Sequence, residues 1–320
     1  MVRPRALIGC ASALLCLLLS VAAASATRVW IDTDPAIGSP FREVDDGFAL
    51  ILALHSPELQ IAGISTTYGN ASLAVTTRVA RDLVQRFASP PPLVVSGARS
   101  RADLGQPTAA TEALRRALED GGSLTYVALG PLTNLATFQR LHPRLARGIE
   151  RVVFVGGRSP TATLRFGAGG WLHIHDANVV KDPSAVASVL ASGLPCALVP
   201  IETSAHFLLD RDDLQSLRRG DPAGVFLFRH SRVWHWFWHS VLREGGGPLF
   251  DAPAVALAAD PFALSTDRRF AHIAGEELIV APRAAPGGRP VTFCTAVPAV
   301  AQKTMRRRLA RKLPKSLVGD

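Results

Sequence analysis

The segment "VWIDTDPAIGSPFREVDDGFALILAL" spans residues 29–54 and places four aspartates between two apolar runs. The first run lies within "RVWID" and is typical of a buried strand, whereas "DDGFALILALHS" has the length and pattern of a helix. A strand that leads through a polar joint into a helix predicts the first unit of an α/β fold. The joint holds Asp32, Asp34, Asp45 and Asp46. Carboxylates so close together repel one another unless a cation neutralises them, so the segment also predicts a cation site.

After this segment, strand-like and helix-like stretches alternate as far as residue 201. The strand-like stretches are 59–69, 92–98, 124–130, 151–157 and 195–201, and the helix-like stretches are 71–88, 108–122, 131–145 and 182–193. Such alternation predicts parallel strands joined by crossover helices. We therefore predict an α/β fold of Rossmann-like type, with a mostly parallel open sheet and helices on both faces. The same reasoning predicts one domain over residues 27–320.

Composition and charge exclude a disordered chain and a nucleic-acid-binding surface. Hydrophobic residues make up 48% of the 320 residues and charged residues 19%, which is typical of a folded domain. The formal net charge is +9, but residues 301–320 hold seven Lys/Arg against one Asp, and Arg3 and Arg5 lie at the other end. The body of the chain therefore carries about +1. We expect no nucleic-acid partner, and a terminal helix with a solvated basic face.

The N-terminal segment, residues 1–26, has the order of a secretory signal peptide. A basic "MVRPR" precedes the apolar "ALIGCASALLCLLLSVAAA", and "ASA" at 24–26 fits a cleavage site. We expect export to the periplasm or the extracellular space, with no stable membrane insertion after cleavage; an uncleaved membrane anchor is the alternative. Cys196 and Cys294 remain in the mature chain, either as a disulfide or as buried thiols.

Polar residues at the ends of the predicted strands are the candidates for a functional site, because ligands of open α/β sheets bind outside the carboxyl ends of the strands. Hard oxygen ligands of this kind suit Ca²⁺ or Mg²⁺. A strand-end aspartate is also common as a helix cap or turn residue, which is the competing interpretation of each one. The candidates are Asp32, Asp34, Thr66, Thr67, Gly69, Asn70, "LGPLTN" at 129–134, "VGG" at 155–157, Asp176, Asn178 and Asp251.

Several of these pieces together resemble the inosine-uridine-preferring nucleoside hydrolase family. The family opens with Asp-x-Asp-Pro-Gly-x-Asp-Asp after its first strand, and the remaining pieces follow here in the family order across nearly all of residues 28–260. The resemblance implies a Ca²⁺-dependent enzyme that cleaves the N-glycosidic bond of ribonucleosides to free base and ribose. It rests on "DTDP" (32–35), "VDD" (44–46), "STTYGN" (65–70), "GPLTNLA" (130–136), "RVVFVGG" (151–157), "DANVVKDP" (176–183) and "FDAPAVALAADP" (250–261).

Residue by residue, the resemblance implies a metal centre at the predicted strand ends. Asp34 would bind Ca²⁺ and take a proton from the metal-bound water. The carboxylates of Asp46 and Asp251 and the backbone carbonyl of Leu129 would be the further protein ligands. Asp32 would support Asp34 without binding the metal itself. A divalent ion lowers the pKa of a bound water molecule and orients it, so the arrangement is chemically coherent.

The resemblance also implies a ribose-binding set, made of Asp45, Asn70, Asp176 and Asn178. Carboxylates around the ribose stabilise the oxocarbenium-like character expected of glycosidic cleavage. The substrate partner would be a ribonucleoside, and the sequence is compatible with a homo-oligomer. Neither the nucleobase preference nor the oligomeric state follows from the residues.

The chain departs from the family pattern in five places. Ten residues, "PAIGSPFREV" at 35–44, separate the second and third aspartates, where the family has three. Asp176 stands in place of the usual Glu, Gly170 in place of an Asn, and Phe250 in place of a His. The stretch at 97–114 has no His-Gly pair like that of the family lid. Because Phe250 cannot donate a proton, activation of the leaving group needs another source.

The aromatic stretch "FLFRHSRVWHWFWHSVLREGG", residues 226–246, is the candidate for that source and for a base pocket. His235, Trp238 and His239 are its tentative pocket residues, since an aromatic face stacks a base and a His protonates it. His230 is a third histidine that the sequence does not separate from the other two. The competing interpretation is a buried amphipathic helix whose histidines are structural.

Two functions of other classes remain as alternatives. The first is a non-catalytic, exported nucleoside- or sugar-binding protein on the same fold, which the Phe250 change and the missing lid favour. The second is a phosphatase of the haloacid-dehalogenase type, which also places Asp-x-Asp after its first strand. That class usually has Thr or Val where this chain has Pro35, and it lacks the "GPLTN" and "DAPAVA" pieces.

Overall fold

The structure is a computed structural model that describes residues 26–40, 42–284 and 286–312. The predicted signal peptide lies outside the described residues, apart from Ala26. Within the described part of the chain, no helix is both long and apolar enough to cross a bilayer.

A nine-stranded sheet forms the centre of the molecule, in the order β12-β11-β13-β8-β5-β4-β1-β2-β3. Seven neighbouring strands, from β13 to β3, pair in parallel, and β11 and β12 continue the sheet antiparallel at one edge. The predicted mostly parallel sheet is thus confirmed. The strands are β1 (Thr27–Thr33), β2 (Leu59–Thr66), β3 (Val94–Ser96), β4 (Leu124–Ala128), β5 (Ile149–Val155), β6 (Arg165–Phe166), β7 (Leu172–His173), β8 (Cys196–Val199), β9 (Leu208–Leu209), β10 (Gly247–Pro248), β11 (Ser265–Ala274), β12 (Glu277–Ala281) and β13 (Arg289–Ala296).

Helices cover both faces of the sheet, as predicted. Buried residues of α1, α2 and α10 pack in the core on one face, and those of α3, α4 and α6 in the core on the other. Short 3₁₀ turns span Arg101–Asp103 and Leu145–Gly148, and a π-helical turn spans Phe237–Val241. The α-helices are α1 (Asp45–Leu54), α2 (Leu73–Phe87), α3 (Ala109–Gly121), α4 (Thr133–Leu141), α5 (Ala177–Lys181), α6 (Pro183–Ala191), α7 (Ile201–Ser204), α8 (Arg211–Arg218), α9 (Pro222–Trp236), α10 (Ala252–Ala259) and α11 (Ala299–Leu309).

The two cysteines of the body lie on opposite faces of the sheet. Cys196 in β8 belongs to the core beneath α3, α4 and α6, whereas Cys294 in β13 belongs to the core beneath α1 and α10. A disulfide needs Cβ atoms about 3.5–4.5 Å apart, so these two side chains do not form one. Both thiols are free and buried. Burial raises the pKa of each to about 12, which keeps them protonated.

The C-terminal helix α11 is only partly a solvated basic face. Its Arg306 guanidinium pairs with Asp213 at 2.9 Å and lies over the ring of Phe207. Arg308 pairs with Glu58. These contacts anchor α11 to the body through its arginines and so reduce the free basic surface that the sequence predicted.

The register of β1 against β2 sets a close contact between Trp30 and Gly63, which are Cα partners. A Cβ atom on Gly63 would lie 2.4 Å from the Trp30 ring, so only glycine leaves room for the indole. The indole Nε1 donates to Ser65 Oγ at 2.8 Å, and Ser65 Oγ in turn donates to Asp32 at 2.6 Å. This packing contact therefore orients a hydroxyl that binds one of the strand-end aspartates.

We predict that Gly63→Ala lowers the free energy of unfolding by about 1–3 kcal/mol, the usual cost of overpacking a core. The same substitution in a Trp30→Phe background should cost less, because phenylalanine lacks the outer ring that the new methyl group would meet. Chemical denaturation of the four proteins in this cycle measures the difference. An equal cost in both backgrounds would contradict the assigned contact.

Candidate active site

Five aspartates converge at the carboxyl ends of the central strands. Asp32 lies in β1 and Asp34 directly follows it, while Asp45 and Asp46 form the first turn of α1. Asp251 directly precedes α10. Helix N-termini carry partial positive charge, which favours carboxylates at those positions. All five side chains are buried, with exposures from 0% to 6%, so the polar joint seen in the sequence is an internal site.

Three of these carboxylates form a group that is compact enough for one metal ion. Asp45, Asp46 and Asp251 each offer an oxygen, and these oxygens lie within 4.8 Å of one another. The resemblance predicted Asp34, Asp46 and Asp251, so the compact group shares two members with that set and includes Asp45. Asp34 lies beside the group, close to Asp46, with its Oδ1 toward Gly130.

Asn70 and Thr33 fix the orientation of Asp34 and Asp46. The Asn70 backbone N–H donates to Asp34 Oδ2 at 2.6 Å, and its side-chain Nδ2 donates to Asp46 Oδ2 at 2.7 Å. The Thr33 hydroxyl and the Asp34 N–H both donate to Asp46 Oδ1. Gly69 allows this approach, since a Cβ there would lie 1.7 Å from Asp34 Oδ2. Asn70 is therefore positioned beside both carboxylates.

Burial and mutual repulsion raise the pKa of Asp34, Asp45 and Asp251 well above the usual range. The ammonium of Lys181 opposes this effect on the pKa of Asp34. Among the residues that the structure describes, Asp34 Oδ1 and Asp45 Oδ1 are buried without a hydrogen-bond partner. An oxygen-only donor set with free buried carboxylate oxygens fits a hard divalent cation.

Asp32 is not a member of the compact group of Asp45, Asp46 and Asp251, and its hydrogen bonds run to neighbouring strands and loops. Its Oδ1 accepts from Ser65 Oγ at 2.6 Å and from Asn134 Nδ2 at 2.8 Å. Burial raises the pKa of Asp32 to about 6, and these hydrogen bonds work against the increase. Asn134 also accepts from the Ala98 N–H at 2.8 Å, so it ties β1 to the end of β3. Asn134 lies within the "LGPLTN" piece, but its contact with Asp32 does not follow from the sequence.

Asn178 and Asp176 contact backbone groups at the ends of β4 and β5. Asn178 Nδ2 donates to the carbonyls of Leu129 at 2.8 Å and Val155 at 3.0 Å. The Leu129 carbonyl, which is a predicted metal ligand, thus accepts a hydrogen bond from Asn178, which is a predicted ribose-binding residue. Asp176 accepts from the Gly157 N–H at 2.6 Å and caps α5. Its carboxylate therefore has the capping role that was the competing interpretation for strand-end aspartates, and burial raises its pKa to about 6.

Aromatic rings form a wall next to Asp251. The ring of Phe250 lies 6.2 Å from Trp238 and 6.4 Å from Phe166, and Trp238 meets Phe166 edge-on at 5.2 Å. Phe166 belongs to β6 of the β6–β7 hairpin. Gly170, where the family has Asn, adopts φ +67° in the turn of this hairpin and offers no side chain. Phe250, which stands where the family has a His, is thus part of an apolar surface.

The histidines of the aromatic stretch contact other parts of the molecule. His235 and His239 stack on each other at 5.4 Å, and His239 Nδ1 lies 2.9 Å from the Gly245 carbonyl. His230 is exposed and packs on Phe226 at 4.3 Å. Of the tentative base-pocket residues, Trp238 is the one that contacts Phe250. Burial lowers the pKa of His235 and His230, which favours neutral rings.

Comparisons with known proteins agree with this arrangement. A family model described as inosine-uridine preferring nucleoside hydrolase matches residues 29–297. The non-specific ribonucleoside hydrolase RihC of Klebsiella pneumoniae (strain 342) is 30% identical over 256 residues, which cover 72% of this chain and 78% of that protein. Uridine nucleosidase 1 of Arabidopsis thaliana is 31% identical over 217 residues, covering 59% of this chain and 61% of that protein.

Solved structures are similar in fold. A plant nucleoside hydrolase superposes with a TM-score of 0.75 at 23% identity, over 89% of this chain and 99% of that one. A purine-preferring ribonucleoside hydrolase from Gardnerella vaginalis superposes with a TM-score of 0.73 at 21% identity, over 89% and 98% of the two chains. The family match over residues 29–297 and the 30% identity to the Klebsiella pneumoniae hydrolase over 72% of this chain show that this chain belongs to the inosine-uridine-preferring nucleoside hydrolase family and is an N-ribosyl hydrolase of nucleosides.

Proposed function

We propose that the protein hydrolyses the N-glycosidic bond of ribonucleosides to free base and ribose in a Ca²⁺-dependent reaction. The observation that carries the proposal is the buried group of Asp45, Asp46 and Asp251, with a free Asp34 oxygen beside it. Oxygen ligands from several carboxylates suit Ca²⁺. Family membership leaves the phosphatase alternative without support.

Some of the carboxylates have two tasks in this proposal. Asp45, Asp46 and Asp251 would hold the cation, with Asp34 and the Leu129 carbonyl as the further ligands. When bound, a divalent cation lowers the pKa of a water molecule and orients it. Asp34 has one oxygen held by the Asn70 N–H and one free, so it accepts the proton of the attacking water. The remaining negative charge of the site stabilises the oxocarbenium-like ribose as the bond to the base breaks.

In this proposal the ribose lies against Asn70, Asn178 and Asp45, and the partly exposed rings of Phe250 and Phe166 receive the base, while the buried Trp238 packs against both rings. An apolar wall stacks a base without reading its hydrogen-bonding edge. Relatives described as non-specific, pyrimidine-specific and purine-preferring all exist in this family. We propose broad acceptance of nucleobases, since Phe166 and Phe250 meet the base through ring surfaces.

The deciding experiment incubates the mature protein with Ca²⁺ and a panel of purine and pyrimidine ribonucleosides, and measures free ribose. Parallel reactions contain a chelator in place of Ca²⁺. Ribose release that requires Ca²⁺ is the expected result. Tight nucleoside binding without ribose release would instead identify the non-catalytic binding protein that the sequence left as an alternative.

For the metal centre, we predict that Asp34→Asn loses both Ca²⁺ affinity and turnover, because it removes a charge and the proton acceptor in one step. General-base help is typically worth about 10²–10⁴-fold in rate. Calorimetry with Ca²⁺ and the ribose assay measure the two effects. Asp120→Asn, an exposed aspartate at the end of α3, is the matched control and should change neither.

Calcium affinity should also fall as the pH is lowered. The pKa of Asp34, Asp45 and Asp251 is raised in the protein without metal, so protons compete with Ca²⁺ for the same oxygens. Unchanged affinity in both Asp34→Asn and Asp251→Asn would show that the metal assignment is wrong.

For the leaving group, we predict that Phe250→His increases turnover of natural nucleosides by about 10²-fold, the lower end of what a general acid contributes. It should leave a nitrophenyl riboside unaffected, since that leaving group departs without a proton. Steady-state rates on the two substrates separate the effects. An equal change on both would indicate altered binding or packing instead of proton donation.

The three histidines within residues 230–239 are the other candidates for the proton donor to the leaving group. We expect His230→Gln, His235→Gln and His239→Gln to keep their rates on both substrates, because these rings contact Phe226, each other and Gly245. A selective loss on the nucleoside in one variant would identify that residue as the general acid.

We propose that the protein is exported and that its mature chain starts near Thr27, because basic, apolar and Ala-Ser-Ala regions occur in the required order. Mass spectrometry of the natively expressed protein should give a chain that lacks residues 1–26. An intact, membrane-embedded chain beginning at Met1 would favour the anchor instead.

A further inference from the structure

The segment 35–44, called the insertion below, connects the two pairs of aspartates and is seven residues longer than the three residues of the family pattern. Its first residues, Pro35 to Ile37, are buried, and Val44 at its end is buried again. Ile37 packs directly on Gly47 of α1, where a Cβ would lie 2.5 Å from the Ile37 side chain. The insertion therefore leaves the site, turns outward near Gly38, and is packed against the body at both ends.

Glu43 links the far end of the insertion to α9. Its Oε2 accepts a hydrogen bond from Trp234 Nε1 at 2.6 Å, across 191 residues of sequence. The insertion touches α9 a second time one turn earlier, where Gly38 lies against the imidazole of His230. The hydrogen bond is short and its indole donor is buried, so this contact joins two distant segments of the chain.

Trp234 contacts a series of aromatic rings that ends at Phe250, the residue before Asp251. Its ring lies 6.2 Å from that of Trp238, which in turn lies 6.2 Å from the ring of Phe250. Gly247 packs on the other side of the Trp234 ring, where a Cβ would lie 2.1 Å away. Phe250 is the neighbour of Asp251 in the chain. A continuous set of contacts thus joins the segment before Asp45 to the segment that carries Asp251.

We propose that Glu43 is a positioning residue of the metal centre, and that its hydrogen bond to Trp234 sets the spacing between Asp45–Asp46 and Asp251. The proposal rests on the Ca²⁺ site proposed above. The three carboxylates repel one another, and that repulsion pushes the N-terminus of α1 away from α10. The bond from Glu43 opposes this separation from outside the ligand set and keeps the oxygens close enough to share one cation.

Calcium titration calorimetry on the full mature chain tests the proposal. Trp234→Phe removes the N–H donor and keeps a ring, and Glu43→Ala removes the acceptor. Each should weaken Ca²⁺ binding by about tenfold, the worth of one hydrogen bond to a charged group. Glu43→Gln retains an acceptor oxygen and should stay within about threefold of the parent. Trp236→Phe, an exposed tryptophan on the same helix, is the matched control and should bind as the parent does.

The double variant Glu43→Ala/Trp234→Phe should bind Ca²⁺ no more weakly than either single variant, because one bond is lost in all three. Thermal unfolding in chelator and in saturating Ca²⁺ is the second readout: the upward shift of Tm caused by Ca²⁺ should shrink in both single variants. Parent-like Ca²⁺ affinity in Glu43→Ala and Trp234→Phe, or fully additive losses in the double variant, would overturn the positioning role of the Glu43–Trp234 bond alone. Absence of Ca²⁺ binding in the parent protein would overturn both the metal centre and this positioning role.

Discussion

Repulsion between buried carboxylates is the constraint on which the rest of this structure depends. Asp34, Asp45, Asp46 and Asp251 lie together in an interior where charges are costly. The fold supplies partial compensation through the N-terminus of α1, the hydrogen bonds of Thr33 and Asn70, and the ammonium of Lys181. None of these removes the repulsion, as the raised pKa of Asp34, Asp45 and Asp251 shows, and a divalent cation would relieve it directly.

The parallel sheet is the means by which such unfavourable neighbours are brought together. The aspartates come from the end of β1, the first turn of α1 and the start of α10, and the stability of β1, β2, β4 and β5 in the core supplies the free energy that holds them there. Asp32 illustrates the coupling between packing and site. It accepts from Ser65, whose hydroxyl is oriented by Trp30, and Trp30 fits only because residue 63 is glycine. Packing of Trp30 against Gly63 in the core thereby fixes the orientation of the Asp32 carboxylate.

Sequence reasoning was accurate where a local pattern determines the outcome. The alternation of apolar runs predicted the order of β1 to β5 and β8 with the helices α1 to α4 and α6 between them, and the strand-end rule placed the aspartates at one edge. Sequence reasoning did not predict the short β6–β7 hairpin and α5. It did not predict the antiparallel β11–β13 edge, whose strands alternate buried and exposed residues irregularly. It left open whether Asp176 binds ribose or caps a helix, because the backbone N–H groups that reach a carboxylate are set by the folded chain; in the structure Asp176 caps α5 and accepts from the Gly157 N–H. Side-chain contacts between distant segments, such as Glu43 with Trp234, leave no local pattern.

Two of the departures from the family pattern have a common physical consequence, which is a less polar surface beside Asp251. Phe250 packs with Trp238 and Phe166 where the family pattern has a proton donor, and Gly170 forms a turn where it has an amide. Both changes remove hydrogen-bonding groups, while the carboxylate group on the ribose side is retained with its supporting bonds. In the proposed mechanism the sugar is bound through charge and the base through ring surface. Most of the rate enhancement in that mechanism comes from stabilising the ribose cation and activating water, and the least from protonating the base.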